Sequence, residues 1–148
     1  MKNTISNLLV AAVLAAINAV ALANETTEII VYRSPSCGCC EKWIDHLKQN
    51  NFSVKESVTD DIQTIKTKYG VSAELASCHT AISNGYVIEG HVPAEDIKNL
   101  LKTKPDVVGI SVPGMPMGTP GMEMAGKKEA YDVLSFGSEH PVQIFRHH

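Results

Sequence analysis

The chain has 148 residues, a formal net charge of −3 and 20% charged side chains. This length predicts one domain. A mildly acidic chain without a basic stripe argues against nucleic-acid binding, because phosphate recognition needs clustered Lys and Arg.

The N-terminal segment has the organisation of a secretory signal peptide. Lys2 gives a positive start, residues 8–20 form an apolar run, and residues 21–23 are a small-x-small cleavage site. The run is short of the roughly 20 residues that a spanning helix needs, so an uncleaved anchor is the weaker interpretation. We therefore predict a signal peptide over residues 1–23 and a mature domain over 24–148, located in the periplasm and without membrane contact after cleavage.

The mature chain opens with a strand that leads into a cysteine motif. Glu28 to Arg33 is a β-branched and aromatic run, which predicts a buried strand. Cys37-Gly38-Cys39-Cys40 follows, and Trp43, Ile44 and Leu47 then recur at helical spacing. The cysteines are thus expected at a strand-to-helix turn, at the N-terminus of the helix.

A second strand and helix are predicted next. Phe52 to Val58 alternates between apolar and polar residues, as strands do. Asp60 is expected to start a helix, with Gln63 at the capping-box position and Gly70 as its stop. The inward face of this helix is predicted to carry Ile62, Ile65 and Tyr69.

A hairpin and a third helix complete the central part of the chain. The stretches 79–83 and 86–89 flank Asn84-Gly85, a strong hairpin signal. Pro93 is expected to open a helix that ends at Lys104-Pro105.

The C-terminal third is less regular. Asp106 to Ser111 is a candidate strand, and residues 112–127 are rich in Gly, Pro and Met. Residues 131–136 and 142–145 predict a second hairpin. The whole order predicts an α/β, thioredoxin-like fold: a central mixed sheet flanked by helices, with a C-terminal Met/Gly/Pro-rich loop and an extra β-hairpin.

The four cysteines admit more than one interpretation. Cys37 and Cys40 form a Cys-x-x-Cys pair suited to redox exchange, whereas Cys39 between them adds a sulfur donor and favours a soft metal. Two structural disulfides are the weaker interpretation, because closing the Cys37–Cys40 loop constrains the unfolded chain by only about 2 kcal/mol, against about 4 kcal/mol for a loop to Cys78. In a thioredoxin-like fold Cys78, just before the third strand, would face the cysteine motif.

Methionines and histidines supply further donors. Residues 113–124 contain Met115, Met117, Met122 and Met124, every methionine of the mature chain. Proline and glycine in the same segment predict a loop, and soft thioethers beside thiolates select Cu(I). For His79 and His91 a structural role is as well supported as a ligand role, and His46 is expected to be solvated. The terminal pair His147-His148 is expected to be frayed.

Four motifs together resemble the CopG-type copper-resistance family of periplasmic proteins, described as domains of unknown function that bind metal. The matching stretches are Cys37-Gly38-Cys39-Cys40, Ser77-Cys78-His79-Thr80-Ala81, Glu89-Gly90-His91-Val92-Pro93-Ala94 and the Pro113 to Glu123 segment. The resemblance implies a thioredoxin-like fold and a site in which cysteine thiolates bridge several Cu(I) ions. It points to these metal-site residues: Cys37, Cys39, Cys40, Cys78, His91, Met115 and Met122.

The leading hypothesis is a periplasmic copper-binding protein for copper resistance, which binds Cu(I) in a thiolate cluster, interconverts Cu(I) and Cu(II), and works with other periplasmic copper-handling proteins. Such an interconversion would make it a copper oxidoreductase, which the sequence alone leaves open. The alternative is a thiol-disulfide oxidoreductase that uses Cys37 and Cys40. A structural zinc or disulfide module is a third hypothesis, and it has no use for four methionines in a loop.

Overall fold

A central strand organises the sheet. The computed structural model describes residues 26–139 and 141–148, and its first strand, β1 (Thr27–Arg33), lies between two neighbours. Strands inside a sheet that is covered on both faces are rich in apolar residues, and Ile29 and Val31 of β1 are fully buried. The predicted signal peptide lies outside the described residues.

The first half of the chain forms a parallel strand pair joined by a helix. β1 continues into α1 (Gly38–Gln49) and then into β2 (Phe52–Val58), which pairs in parallel with β1. Cys37 is the residue that precedes the first turn of α1. The predicted strand-to-helix placement of the cysteine motif is confirmed.

The next helix begins one residue later than predicted. Asp61, rather than Asp60, caps α2 (Ile62–Lys68) by accepting a hydrogen bond from Thr64 N at 3.1 Å. Asp61 is favoured as the N-cap because its carboxylate also accepts a hydrogen bond from the Thr64 hydroxyl at 2.6 Å. Gly70, with φ of +73°, ends the helix as expected.

The remaining strands extend the sheet on the other side of β1. A short 3₁₀ turn precedes the hairpin around Asn84-Gly85, where both residues have positive φ, and α3 connects the hairpin to a parallel strand. A second hairpin completes the sheet. The bounds are the 3₁₀ turn Ala73–Leu75, β3 (Thr80–Ser83), β4 (Tyr86–Glu89), α3 (Ala94–Thr103), β5 (Gly109–Ser111), β6 (Asp132–Phe136) and β7 (Gln143–His147).

Within the described residues these strands form one mixed sheet of seven strands in the order β2-β1-β3-β4-β5-β6-β7. The β1–β2 and β4–β5 pairs are parallel, and the other pairs are antiparallel. This confirms the predicted α/β class, the mixed sheet and the added C-terminal hairpin. The likeness to thioredoxin itself stays a prediction.

The sheet is covered on both faces. Ile88 packs with the buried residues of α1 and α3, whereas its neighbour Val87 packs with Val71 and Leu75. Because successive strand residues point to opposite faces, α1 and α3 cover one face and the segment after α2 covers the other. Among the described residues, no helix combines the length and hydropathy needed to cross a membrane.

Two predictions about histidines are wrong. His46 is partly buried rather than solvated, because its Nε2 accepts a hydrogen bond from Ala94 N at 3.0 Å and so joins α1 to the start of α3. The C-terminus is not frayed: His148 N donates to the Tyr131 carbonyl at 2.9 Å, and the His148 ring lies 2.7 Å from Asp96 Oδ2.

Candidate metal centre

The topology brings two distant cysteine segments to one edge of the sheet. β1 and β3 are antiparallel neighbours, with Tyr32 opposite Thr80. The segment that follows β1 therefore lies beside the segment that precedes β3. Cys37 to Cys40 occupy the first segment and Cys78 the second, as the sequence predicts.

The four cysteines form one cluster. Their Sγ atoms all lie within 4.8 Å of one another. Cys39 Sγ lies 3.5 Å from Cys37 Sγ and 3.9 Å from Cys78 Sγ. Cys40 is fully buried and the other three are partly buried. All four predicted cysteine ligands are thus close enough to share metal ions.

The cluster is in an oxidised state. Cys37 and Cys40 are joined by a disulfide, and Cys39 and Cys78 are free thiols. The disulfide joins the two cysteines of the Cys-x-x-Cys pair and does not link the motif covalently to Cys78. Two electrons and two protons convert the disulfide to two thiols, so the number of sulfur ligands available to a metal rises from two to four on reduction.

Two buried imidazoles face the Cys78 sulfur. His91 Nε2 lies 3.0 Å from Cys78 Sγ, and His79 Nδ1 lies 3.2 Å from it. Both histidines are fully buried. His91 Nδ1 lies 2.7 Å from the Pro120 carbonyl oxygen, which can only accept, so Nδ1 carries the proton and Nε2 presents a lone pair to Cys78.

Burial controls protonation in this part of the site. It raises the pKa of the Cys78 thiol to about 12, and the neighbouring Cys39 adds to the rise. Burial lowers the pKa of His91 and lowers that of His79 further, with a contribution from His91 to the latter. The metal-free site therefore holds a thiol and two neutral imidazoles, and a metal bound to Cys78 must displace its proton.

The Met/Gly/Pro-rich segment packs directly on the cysteine motif. A Cβ at Gly121 would lie 2.9 Å from the Cys39 carbonyl oxygen and 2.8 Å from Trp43 N, and Gly121 has φ of +87°. Only glycine allows this approach. Together with the Pro120–His91 hydrogen bond, it places the segment over the start of α1.

The four methionines of this segment occupy different surroundings. Met122 and Met124 line an open groove of about 590 Å³ whose wall includes Cys39. Met115 is 52% exposed, and the backbone N of Met117 donates to Glu129 Oε2 at 2.9 Å. Met122, predicted as a site residue, and Met124 thus line the groove beside the cysteine motif, although Met124, at 56% exposed, is as open to solvent as Met115.

A buried ion pair supports the Cys78 segment. Lys66 Nζ and Ser77 N both donate to Glu89 Oε1, and Thr80 Oγ1 donates to Glu89 Oε2 at 2.6 Å. Lys66 and Glu89 are 3% and 0% exposed. The carboxylate thus ties α2 and the residue before Cys78 to β4, which ends two residues before His91.

Sequence reasoning missed two of these residues. Helical periodicity placed Ile62, Ile65 and Tyr69 on the inward face of α2, yet Lys66 is the most buried residue of that helix. His79 was not assigned to the metal site. Its position next to Cys78, immediately before a strand, was the available signal.

The fold and the site define an α/β protein with a cysteine–histidine centre suited to soft metals. The family model for a protein of unknown function, DUF411, matches residues 75–122. A comparison with curated protein sequences finds no match.

Two solved structures are similar over most of this chain. One, "Copper resistance protein copG- Form 2", is 40% identical with a TM-score of 0.80, and the match covers 84% of this chain and 99% of the other. The other, "Copper resistance protein copG- Form 1", is 41% identical with a TM-score of 0.79, covering 84% and 98%. The chain belongs to the family of the copper resistance protein copG.

Proposed function

We propose that this protein binds Cu(I) through the thiolates of Cys37, Cys39, Cys40 and Cys78, and that it serves copper resistance in the periplasm. The observation that carries the proposal is the convergence of four cysteine sulfurs within 4.8 Å, in a chain whose solved relatives are named copper resistance proteins. Each thiolate can bridge two ions, so the cluster is suited to more than one Cu(I).

The surroundings of the cluster favour copper over zinc. A structural zinc site is satisfied by four thiolates alone. Here Met122 and Met124 line the groove beside Cys39, and thioethers are ligands for Cu(I). The groove is also lined by three carboxylates and one ammonium group, an acidic balance that favours the approach of a cation: Glu41, Asp45, Glu123 and Lys42.

The disulfide supplies a route between copper oxidation states. When Cys37 and Cys40 are reduced, their two thiolates can transfer one electron each to two Cu(II) ions, which yields two Cu(I) ions and the Cys37–Cys40 disulfide. The reverse step needs two electrons from two Cu(I) ions and re-forms two thiolates. This stoichiometry of two copper ions per disulfide is a property that stopped-flow absorption can measure.

The same proposal includes export and partners. Cleavage after Ala23 would deliver residues 24–148 to the periplasm, where other copper-handling proteins would supply or receive the ion. Cell fractionation with N-terminal sequencing of the native protein tests this part. A protein recovered in the cytosol with residues 1–23 intact would contradict it.

The central experiment is metal analysis of protein purified from its native compartment without oxygen. We expect copper in stoichiometric or higher amount, with X-ray absorption showing Cu(I) bound to sulfur. The Cys78→Ser variant should retain much less copper. Stoichiometric zinc, or no metal in a protein whose four thiols are reduced, would contradict the proposal.

A second candidate function is thiol-disulfide exchange. The observation in its favour is the Cys37–Cys40 disulfide at the start of α1, with Cys37 partly exposed and Cys40 fully buried. This asymmetry suits Cys37 as the attacking thiol and Cys40 as the resolving thiol. Reductase activity that persists in the Cys39→Ser and Cys78→Ser variants would support this candidate, and no activity in the parent would remove it.

A further inference from the structure

We propose that Cys78, His79 and His91 form a second metal site, which shares the Cys78 thiolate with the four-cysteine cluster and holds copper in the Cu(II) state. This inference rests on the proposed copper function and adds to it a nitrogen-rich ligand set. Three donor atoms converge there: Cys78 Sγ, His79 Nδ1 and His91 Nε2.

The distances suit coordination of a single ion. With metal–sulfur and metal–nitrogen bonds of about 2.3 and 2.0 Å, the sulfur and nitrogen ligands of a tetrahedral ion lie about 3.5 Å apart. The sulfur-to-nitrogen distances here are 3.0 Å to His91 and 3.2 Å to His79. Small outward movements of the two rings would therefore admit the ion.

His91 is already oriented as a metal ligand. Its Nδ1–H donates to the Pro120 carbonyl at 2.7 Å, which fixes the tautomer and leaves the Nε2 lone pair facing Cys78. Histidines that bind metals almost always donate their other ring N–H to such an acceptor. The Pro120 carbonyl thus acts as an outer-shell partner supplied by the Met/Gly/Pro-rich segment.

His79 reaches the site through Nδ1, which lies 3.2 Å from Cys78 Sγ. Its ring is fully buried and contacts the Trp43 ring with centroids 4.2 Å apart and planes tilted by 38°, and its Nε2 has no hydrogen-bond partner. A neutral His79 can donate from Nδ1–H to Cys78 Sγ or present its Nδ1 lone pair to that sulfur, and the 3.2 Å contact fits both tautomers. An ion among the three groups would use the lone pairs of both imidazoles and the thiolate together.

The chemistry of the two ligand sets differs. Thiolates and thioethers select Cu(I), whereas imidazoles also stabilise Cu(II), and a His₂Cys set is the ligand set of copper sites that exchange electrons. Sharing Cys78 places the nitrogen-rich set in direct contact with the sulfur-rich set. An electron leaving Cu(I) in the cluster would then need to cross only one sulfur atom.

The test isolates the proposed site with a single substitution. In Cys39→Ser prepared without reductant, the Cys37–Cys40 disulfide stays closed, so Cys78 is the one free thiol. We expect this variant to bind one Co(II) or Cu(II) ion with a thiolate-to-metal charge-transfer band. The electron paramagnetic resonance spectrum of its Cu(II) form should show coupling to two imidazole nitrogens.

Histidine substitutions in the same background provide the controls. His91→Gln should weaken Co(II) binding by more than the 10–100-fold typical of losing an outer-shell partner, and His79→Asn should remove one nitrogen coupling. His147→Gln, at a side chain 74% exposed, should change neither. Circular dichroism identifies a variant that fails to fold. If one histidine variant is unfolded, metal binding by the other histidine variant tests the second site.

The outcomes separate this inference from the proposed function. If the parent holds Cu(I) while Cys39→Ser binds no Co(II) or Cu(II), or if binding is unaffected by both histidine changes, the second site is refuted and the copper function stands. If Cys39→Ser shows the two-nitrogen Cu(II) spectrum while the anaerobic parent holds no copper, the second site stands and the proposed function fails.

Discussion

In the part of the chain that the structure describes, two clusters bring together side chains that could bind a metal, and their surroundings differ. The first is the cysteine–histidine centre, and the second consists of Glu95, Asp96 and His148. In the second cluster Arg146 Nε lies 2.6 Å from Asp96 Oδ1, without the alignment of a hydrogen bond, and His148 lies 2.7 Å from Oδ2. The carboxylate therefore already has two cationic or hydrogen-bonding partners.

The centre around Cys78 has the opposite character. Its sulfur and nitrogen atoms face one another as neutral groups, with Cys78 Sγ 3.0 Å from His91 Nε2 and 3.2 Å from His79 Nδ1. The difference shows that proximity of ligand atoms is not enough to make a metal site. What matters is whether those atoms are already neutralised by the protein's own charges.

The largest effect that tests this comparison is on copper binding. Cys78→Ser should lower copper affinity by more than the 10–100-fold cost of an outer-shell change, because Cys78 belongs to both ligand sets. Asp96→Asn should leave copper stoichiometry unchanged and lower the free energy of unfolding by about 1–3 kcal/mol. Competition with a Cu(I) chelator and urea unfolding measure the two effects. Equal loss of copper in both variants would contradict the distinction.

The next effect concerns the ion pair behind the centre. Lys66→Met should lower the free energy of unfolding by about 3–5 kcal/mol, because it leaves the buried Glu89 carboxylate without its counter-charge. The matched control is Lys55→Met, at a side chain 66% exposed that pairs with Glu28 at 2.7 Å. That change should stay within about 1 kcal/mol. Urea denaturation distinguishes them, and similar losses in both variants would show that burial of the pair is unimportant.

A smaller effect is expected where the Met/Gly/Pro-rich segment meets α1. Gly121 and Gly126 both have positive φ, +87° and +74°, but only at Gly121 would a Cβ meet neighbouring atoms, since Gly126 has none within 4 Å. Gly121→Ala should therefore destabilise the fold by about 1–3 kcal/mol more than Gly126→Ala. It should also weaken copper binding by displacing Pro120 from His91. Equal thermal stability of the two variants would contradict this account.

The smallest effect is a dependence of stability on pH. The pKa values of His79 and His91 are lowered in the folded state, so the unfolded chain binds more protons below its histidine pKa of about 6.5. Stability of the metal-free protein should be complete above that pH and fall on acidification, by up to about 1.4 kcal/mol per pH unit for each histidine. Urea midpoints at pH 7.5 and 5.5 measure this slope. His91→Gln should reduce this slope, and an unchanged slope in that variant would contradict the contribution of His91.

Much of the fold could be predicted from local patterns. The strand before the cysteine motif, the Asn84-Gly85 hairpin and the helix after Pro93 each have a signal within a few residues. The meeting of Cys78 with the motif followed from strand order alone. These features depend on periodicity and turn chemistry, which a single sequence displays.

The rest depends on partners that are distant in sequence. Lys66 occupies a position that helical periodicity predicts to be polar and exposed. It is buried because it pairs with the buried carboxylate of Glu89, 23 residues away. His148 is held by Asp96, 52 residues earlier. The cysteine pairing stayed open for the same reason, since spacing alone does not decide which thiols are oxidised.

The separation of the ligands along the chain has a consequence for folding. Cys39 and Cys78 are 39 residues apart and Cys78 and His91 are 13 apart, so only the folded chain holds them together. One ion bound to Cys39 and Cys78 and another bound to Cys78 and His91 would each act as a cross-link, and together they would close two loops. By mass action these ions would stabilise the native state alone, and resistance to heat would then rise with the supply of copper.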